Sequence, residues 1–424
     1  MSRPTALDRI RQTHRLLRSE GAAGVSARLR RRAADRIAPP AGGSLPVPTE
    51  QLVRAAEIAE SGWRLPPPMP APAGEPLTVA WVCAPPGPGS GGHTTMFRMV
   101  SALERAGHRC IVYLDDRHGG SLDRQREGIR SWWPWVKAEI RDAAAGIEDA
   151  HGIFATAWET AYTVLASPAL GKRFYLVQDF EPAFYPAGSD ALLAEATYRF
   201  GFHGVTAGRW LAKVLTRDYG MAADHFDFGC DVDRYRIDRS MDGRRAGVCF
   251  FARPDTPRRG FLLGMAALEL FAARHPEIEI HLFGDVPRRL PVRATDHGVV
   301  APQELSALYN RCVAGLVVSA TNVSLVPLEM LAAGCIPVVN DAEHNRLVLD
   351  NDHVAYAPAT PYDLASTLAA LVERPARERS AAAEAAAASV QGTSWKDSGA
   401  AFERIVAEAV AAAGRAPTTI GAAR

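Results

Sequence analysis

The feature of this sequence that most limits its fold is a strand–helix rhythm that runs once, breaks, and starts again. Short apolar runs rich in β-forming residues alternate with amphipathic stretches, as where LTVAWVCAP is followed by TTMFRMVSALERAG. This alternation is typical of parallel sheets whose strands are joined by crossover helices. The first set of predicted strands covers 77–85, 110–116, 152–157, 173–180 and 203–207.

A second set of elements follows a polar, turn-rich segment at 225–245. The chain of 424 residues is long enough for more than one core. The prediction is therefore an α/β fold with two doubly wound parallel-sheet domains in tandem, at 77–230 and 245–378, followed by C-terminal helices at 379–414. In the second domain, the predicted strands are 246–254, 278–286, 312–319 and 335–341, and the predicted helices are about 260–274, 302–310 and 325–333.

The first 76 residues differ from the rest of the chain. Residues 1–36 contain ten arginines against three acidic residues, with apolar residues near helical spacing. This pattern is typical of a basic amphipathic helix on an anionic membrane surface, and equally of a solvated arm. Residues 37–76 are rich in proline and predict an extended linker or wrap. A net charge of +1 argues against a nucleic-acid partner held by bulk charge.

The cysteines and the hydropathy indicate a cytoplasmic protein. Six cysteines are scattered without a CxxC pair, mostly in apolar strand-like runs, which predicts buried reduced thiols in a reducing compartment. No apolar run reaches the length of a membrane span, and no signal-peptide pattern is present. Peripheral attachment to the inner membrane through residues 1–36 is left open.

Ligands of open α/β sheets bind beyond the carboxyl ends of the strands, and two polar segments of the first domain fall there. In PPGPGSGGHTTMFRM, Gly91 and Gly92 would let a ligand approach the backbone near a helix predicted to begin at His93 or the next residue. The segment is not a P-loop. In YLVQDFEPAFYP, Asp179 and Glu181 predict contact with a sugar or acceptor hydroxyl, or a helix cap or loop ion pair.

Three further segments of the second domain fall at the same edge. Arg253 and Arg258 in FFARPDTPRRGF predict a clamp on a diphosphate, or a surface charge cluster. Gly284 and Val299 lie where a flat base can rest against exposed backbone. Glu329, in the first turn of an apolar helix, can accept two hydrogen bonds from ribose hydroxyls, or can act as a partner of the helix dipole.

Taken in this order, the segments resemble the GT-B glycosyltransferases, specifically the large retaining family called GT4. The resemblance runs from about Pro76 to Val406, with FGCDVDRYR similar to the family's linker turn and ARPDTPRRG to its diphosphate turn. TSWKDSGAAFERIV resembles the closing helix that returns to the first domain around Trp395. The resemblance implies two Rossmann-like domains facing a central cleft, the first for the acceptor and the second for a nucleotide-sugar donor.

The chain also departs from the GT4 pattern at two positions. The family's signature is a pair of glutamates separated by seven residues; the second matches Glu329, but the first falls on Thr321. Gln178 stands where the family often has histidine. With GSGGHTT, YLVQDFEP and TNVSLVPLEM, these departures resemble bacterial rhamnosyltransferases that build surface polysaccharides from dTDP-rhamnose.

The resemblance implies transfer of a hexose, best matched by L-rhamnose from dTDP-rhamnose, to a glycan or lipid-linked glycan. Retention of configuration is implied, with no metal and no cofactor beyond the donor itself. Glu329 would hold the ribose, Arg253 and Arg258 the departing diphosphate, and Asp179 the acceptor. The remaining predicted contacts with the donor or acceptor are Gly91, Gly92, His93, Gly284, Val299, Thr321, Asn322, Ser324 and Leu325.

Two other hypotheses stay open at this stage. One is a GT-B enzyme that uses a UDP- or GDP-sugar, since the sequence separates donors poorly. The other, of a different class, is a catalytically silent scaffold that binds sugar nucleotides, motivated by the absent first glutamate and histidine at Thr321 and Gln178. Retention of Glu329 together with the arginines favours an active enzyme.

Overall fold

A computed structural model describes residues 46–71, 74–87, 89–241, 244–287 and 289–415. The basic arm predicted at 1–36 lies outside these residues. Of the described chain, a first compact unit contains 46–206, 212–225 and 399–415, and a second contains 207–211 and 226–398. Among the described residues, no helix combines the length and the apolar composition needed to cross a bilayer.

Seven parallel strands form the sheet of the first unit within the described residues, in the order β3-β2-β1-β4-β5-β6-β7. The five strands predicted from apolar runs are confirmed, with ends that differ from the predicted ones by at most three residues. Two four-residue strands, β3 and β7, were not predicted, because each has a single buried residue and lacks an apolar run. The strands are β1 (Thr78–Cys83), β2 (Arg109–Leu114), β3 (Glu139–Asp142), β4 (Gly152–Ala155), β5 (Lys172–Val177), β6 (His203–Ala207) and β7 (Ala223–Phe226).

The helices of this half of the chain pack on strands of the sheet and on one another. The glycine-rich helix begins at Gly91, two residues before the predicted His93, because the Ser90 side chain caps it by accepting from the His93 N–H. The helices are α1 (Thr49–Glu60), α2 (Gly91–Arg105), α3 (Leu122–Trp132), α4 (Trp158–Ala166), α5 (Ser189–Ala196) and α6 (Arg209–Tyr219).

Where it is described, the segment at 37–76, predicted to be an extended linker or wrap, contains a helix that was not predicted. Helix α1 occupies its centre, since TEQLVRAAEIAE is rich in helix formers between proline clusters. Gln51 donates to the Thr163 hydroxyl at 3.1 Å, and the Trp63 ring stacks on Phe200 at 5.4 Å. These contacts make the described part of the segment a packed component of the first unit.

The second unit is built on six strands within the described residues, in the order β10-β9-β8-β11-β12-β13. All four predicted strands are confirmed, while the edge strands β10 and β13 were missed because they are two and three residues long. The strands are β8 (Gly247–Ala252), β9 (Ile280–Gly284), β10 (Thr295–Asp296), β11 (Cys312–Val317), β12 (Ile336–Asn340) and β13 (Ala355–Ala357). The helices are α7 (Phe261–Arg274), α8 (Pro302–Arg311), α9 (Val326–Ala332), α10 (Glu343–Leu349), α11 (Pro361–Val372) and α12 (Ala376–Ser389). The last helix, α13 (Trp395–Arg415), belongs to the first unit from residue 399 onward.

Close packing at the centre of this second sheet places helix α9. Strand β11 is buried along its whole length. A Cβ added to Gly315 would lie 2.6 Å from the Met330 sulfur, so only glycine lets α9 sit directly on β11. The six cysteines are buried thiols, as predicted.

Candidate functional site

The strand order of the second unit reverses between β8 and β11, since β9 lies on one side of β8 and β11 on the other. Ligands of open α/β sheets bind outside the carboxyl ends of the strands at such a point. Two loops leave the sheet there, one following β8 at 253–260 and one following β11 at 318–325. The Ala320 N–H donates to the Arg258 carbonyl at 2.8 Å, which joins the two loops.

The arginines of the loop after β8 have separate surroundings. Arg253 is 42% exposed, 3.9 Å from an Asp285 carboxylate oxygen and over the Phe251 ring at 5.6 Å. Arg258 is half-buried in the short 3₁₀ turn Pro257–Arg259. Arg259 donates to the Ser319 hydroxyl at 2.7 Å and to the Asn322 carbonyl at 2.9 Å. Arg253, one of the two residues predicted to bind the diphosphate, therefore has a solvent-accessible guanidinium. Arg259, which was not among them, holds the neighbouring loop through its hydrogen bonds.

Glu329 lies in the first turn of α9 with its carboxylate between two tyrosines. The Tyr309 hydroxyl donates to it at 3.4 Å, and the Tyr235 hydroxyl also bonds it. Burial raises the pKa of Glu329 to about 7, and both tyrosine hydrogen bonds oppose that rise. A carboxylate has about four acceptor positions, so two tyrosines leave room for two ribose hydroxyls.

The loop after β11 contains two buried hydroxyls without hydrogen-bond partners among the described residues. They belong to Thr321, which is 2% exposed, and to the half-buried Ser324. A buried hydroxyl left unpaired costs about 1–3 kcal/mol, and such atoms are rare enough to need an explanation. An incoming polar ligand would supply the missing partners. Asn322 is buried beside them, and Leu325 is half-buried at the start of α9.

The two residues predicted to lie against a base have different environments. Gly284 has φ of 108°, and a Cβ there would lie 2.5 Å from the Ala252 carbonyl, so glycine is required where β9 ends beside β8. Its N–H donates to the Gly298 carbonyl at 2.7 Å. Val299 is 71% exposed. Contact of either residue with a base stays a prediction.

In the first unit, the glycine-rich turn follows β1 and is shaped by His93. One ring nitrogen of His93 lies 3.0 Å from the Ala84 carbonyl and the other 2.8 Å from the Ser90 hydroxyl. Burial lowers the pKa of His93, so the ring is neutral and donates to the carbonyl while accepting from the serine. A Cβ on Gly92 would lie 3.6 Å from the Gln178 amide. The contacts predicted for Gly91, Gly92 and His93 with a ligand stay predictions.

The two acidic residues after β5 differ in their surroundings. The Asp179 carboxylate accepts from the Phe180 N–H at 2.9 Å, and its acceptor role stays a prediction. Glu181 is buried, and its carboxylate accepts from the Trp158 N–H at 2.7 Å and the Tyr175 hydroxyl at 2.8 Å. Since Trp158 begins α4, Glu181 acts as a helix cap, which was the alternative to its contact with an acceptor.

The buried Glu181 gives a test based on pH. Burial raises its pKa to about 8 from an ordinary value of 4.5, so the folded protein binds more protons than the unfolded chain between these values. The contribution of Glu181 to the free energy of unfolding is therefore lost as the pH rises from 4.5 through 8. Glu181→Gln is expected to change little at pH 5 and to stabilise by about 2–4 kcal/mol at pH 9. Urea unfolding at both pH values checks this, with exposed Glu127→Gln as the control; equal effects at the two pH values would contradict it.

Several residues that shape the candidate site were not predicted from the sequence. Tyr235 and Tyr309 reach Glu329 from distant parts of the chain, and no local pattern marks them. Ser319 and Asn340 exchange two hydrogen bonds at the ends of β11 and β12. The position of both at the carboxyl ends of predicted strands was the only signal available.

Comparison with known sequences matches the chain to one family model and to one curated relative. Residues 246–369 match the family model described as WsaF, C-terminal domain. Over 249 residues, the chain is 35% identical to the O-antigen biosynthesis protein RfbC of Myxococcus xanthus. That match covers 57% of this chain and 20% of the relative, so the chain spans about a fifth of that protein's length.

Solved glycosyltransferase structures resemble the chain over most of its length. Anabaena Alr3699/HepE in complex with UDP-glucose is 13% identical with a TM-score of 0.59, covering 79% of this chain and 100% of that one. WaaG, a glycosyltransferase involved in lipopolysaccharide biosynthesis, is 15% identical with a TM-score of 0.56, covering 77% and 99%. The resemblance predicted from the sequence is therefore confirmed at the level of the fold, and this chain has the GT-B glycosyltransferase fold.

Proposed function

We propose that this protein is a glycosyltransferase of bacterial surface polysaccharide synthesis that acts in the cytoplasm. The proposed donor is a nucleotide-diphosphate hexose, specifically dTDP-L-rhamnose, and the proposed acceptor is a glycan or lipid-linked glycan. The observation that carries the proposal is the placement of Glu329, Arg253 and Arg258 around the strand-order reversal of the second unit. The similarity to an O-antigen biosynthesis protein and to the WsaF domain supports it.

Nucleotide binding would use the groups that the second unit has at this edge. Glu329 would accept hydrogen bonds from the ribose hydroxyls while the two tyrosines hold its carboxylate in place. A deoxyribose offers only its 3′-hydroxyl, so Glu329 alone does not select dTDP over UDP. Gly284 and Val299 are proposed to lie against the base.

The diphosphate is proposed to lie by Arg253 and Arg258. Negative charge accumulates on it as the bond to the sugar breaks, and oriented positive groups stabilise that charge most where water is excluded. Arginine suits this role, because it stays charged and presents paired donors to phosphate oxygens. The arginines would supply the positive charge, so the proposed transfer uses no metal.

The donor hexose is proposed to bind at the loop after β11. Thr321 and Ser324 would give their unpaired hydroxyls to sugar hydroxyls, with Asn322 and Leu325 beside them. In the first unit, Asp179 is proposed to orient the acceptor, and the turn at Gly91, Gly92 and His93 to approach the diphosphate or acceptor.

Retention of the anomeric configuration is part of the proposal. The bond between the anomeric carbon and the diphosphate oxygen breaks, and the acceptor oxygen bonds to the same face of that carbon. The acceptor proton passes to the departing phosphate oxygen, so this front-face route needs no protein base. It is compatible with threonine at position 321 and glutamine at position 178. Determination of the product's anomeric configuration tests this step.

The first experiment is calorimetry of dTDP, UDP, GDP and ADP with the purified protein, with and without magnesium. Binding of dTDP in preference to the others, without magnesium, is the expected result. Preference for UDP or GDP would keep a GT-B enzyme but reject the rhamnosyl donor. Absence of binding to all four, in folded protein, would refute the proposed function.

Attachment to the inner membrane through residues 1–36 is a separate proposal, carried by the ten arginines of that segment. The full chain is expected to sediment with vesicles containing anionic lipids at low salt and to dissociate at high salt. Deletion of residues 1–36 should abolish this binding, with purely zwitterionic vesicles as the control. Binding that is insensitive to salt, or unchanged by the deletion, would contradict the proposal.

A further inference from the structure

Ser319 is fully buried just beyond β11, and it is the centre of a hydrogen-bonded cluster. Its N–H donates to the Asn340 side-chain oxygen at 2.8 Å. Its carbonyl accepts from the Asn340 amide and from a His344 ring nitrogen, both at 2.8 Å. Its hydroxyl accepts from Arg259 at 2.7 Å and donates to the Asn322 carbonyl at 2.9 Å. The Ser319 cluster is defined as Ser319, Asn340, His344 and Arg259.

The cluster fixes the course of the loop from Ser319 to Ser324. Every polar group of Ser319 has a partner, and Arg259 also donates to the Asn322 carbonyl at 2.9 Å. Buried networks that are satisfied in this way rigidify the backbone around them. Thr321, two residues away and 2% exposed, nevertheless has no partner for its hydroxyl among the described residues. The loop is thus held in a shape that leaves polar atoms unpaired.

We propose that the Ser319 cluster is a positioning device for the donor sugar. It holds the loop so that the Thr321 and Ser324 hydroxyls can bond hydroxyls of the hexose in a nucleotide-diphosphate sugar. Ser319 itself is 0% exposed, so it acts through the loop and is a positioning residue. The inference rests on the proposed function and deepens it, because it separates recognition of the sugar from recognition of the nucleotide by Glu329.

Two variants divide the contact role from the positioning role. Thr321→Val keeps the side-chain shape and loses no hydrogen bond of the free protein, so its melting temperature should not fall below that of the wild type. Ser319→Ala removes the hydroxyl that Arg259 and Asn322 share. The control is Ser389→Ala at an exposed serine, which removes a hydroxyl bonded to the Asn351 amide and to the Ala386 carbonyl.

Calorimetry with dTDP-rhamnose and with dTDP gives a dissociation constant for each ligand. The constant for dTDP divided by that for dTDP-rhamnose is the gain in affinity that the sugar provides. UDP-glucose and UDP form a second pair for the same comparison. In the wild type the sugar should strengthen binding, and Thr321→Val and Ser319→Ala should each reduce that gain about fivefold to tenfold. Affinity for the free nucleotide should stay within about twofold, and Ser389→Ala should change neither value. Arg259→Lys should retain part of the gain that Arg259→Met loses.

Other outcomes overturn the inference. If Ser319→Ala weakens binding of the free nucleotide as much as binding of the sugar nucleotide, the role of Ser319 is only structural. The loop does not recognise the hexose if both variants keep the wild-type ratio, or if the sugar adds no affinity to the wild type in either pair. In that case, binding of the free nucleotide would still support the proposed function. A wild type that binds no nucleotide fails the proposed function itself.

Discussion

Replacing Glu329 with alanine is expected to lower glycosyl transfer at low donor concentration by about tenfold to a hundredfold. The change removes the carboxylate proposed to hold the ribose and leaves the hydroxyls of Tyr235 and Tyr309 without their shared acceptor. A hydrogen bond to a charged group is worth about 1.5–3 kcal/mol, and a deoxyribose supplies one through its 3′-hydroxyl, so losing that bond is consistent with this factor. The measurement is the initial rate of transfer of labelled sugar at donor concentrations below KM, where the rate reports kcat/KM, together with nucleotide affinity by calorimetry.

The control for this variant tests the plain alternative that Glu329 is only a partner of the helix dipole. Glu304 also lies in the first turn of a helix of the second unit, α8, where it accepts from the Ala301 N–H at 3.3 Å. Dipole interactions at exposed sites contribute about 0.3–1 kcal/mol, so Glu304→Ala should cost some stability and no activity. If both alanine variants behave alike, or if Glu329→Ala transfers sugar normally, the site is misplaced.

The central strands could be predicted because their burial requires continuous apolar runs, which are visible in the sequence. Strand β11, CVAGLV, is buried at every position, and β1, TVAWVC, at all but its first. Such apolar runs between turn signals are the pattern of strands covered on both faces. The edge strand β10 consists of two exposed residues, and it is identified as a strand only by its pairing with β9. No periodic pattern can be detected over so short a segment.

The candidate site could be located at the level of loops, but not at the level of individual side-chain partners. Parallel strands bring their carboxyl ends together, which is enough to group the loops after β8 and β11. Arg258 and Arg259 are adjacent in the sequence, and only the course of the 3₁₀ turn decides that Arg259 bonds Ser319. The burial of Glu181 likewise depends on neighbours such as Tyr175 that come from other elements.

Replacing Arg173 with methionine is expected to destabilise the protein by about 3–5 kcal/mol, a large part of the stability of an ordinary domain. Arg173 is the second residue of β5 and is 2% exposed; its guanidinium donates to the carbonyls of Ser167, Ala169 and Gly171 at 2.9, 2.7 and 2.9 Å. Burial lowers its pKa to about 10, so it stays charged at neutral pH. Methionine fills much of the space but leaves three carbonyls without their donor, which is the costly outcome for buried polar groups.

The measurement for Arg173→Met is the denaturant midpoint of the first unfolding transition, compared with the wild type. Arg173→Lys should fall between them, because an ammonium keeps the charge but cannot reach three carbonyls with a planar fork. The exposed Arg124→Met on α3 is the matched control and should change the free energy of unfolding by less than about 0.5 kcal/mol. A midpoint for Arg173→Met equal to that of the control would show that the loop from Ser167 to Gly171 holds its shape without the arginine. In that case water would have to satisfy the three carbonyls, and the burial of this corner of the first unit would be looser than the hydrogen bonds indicate.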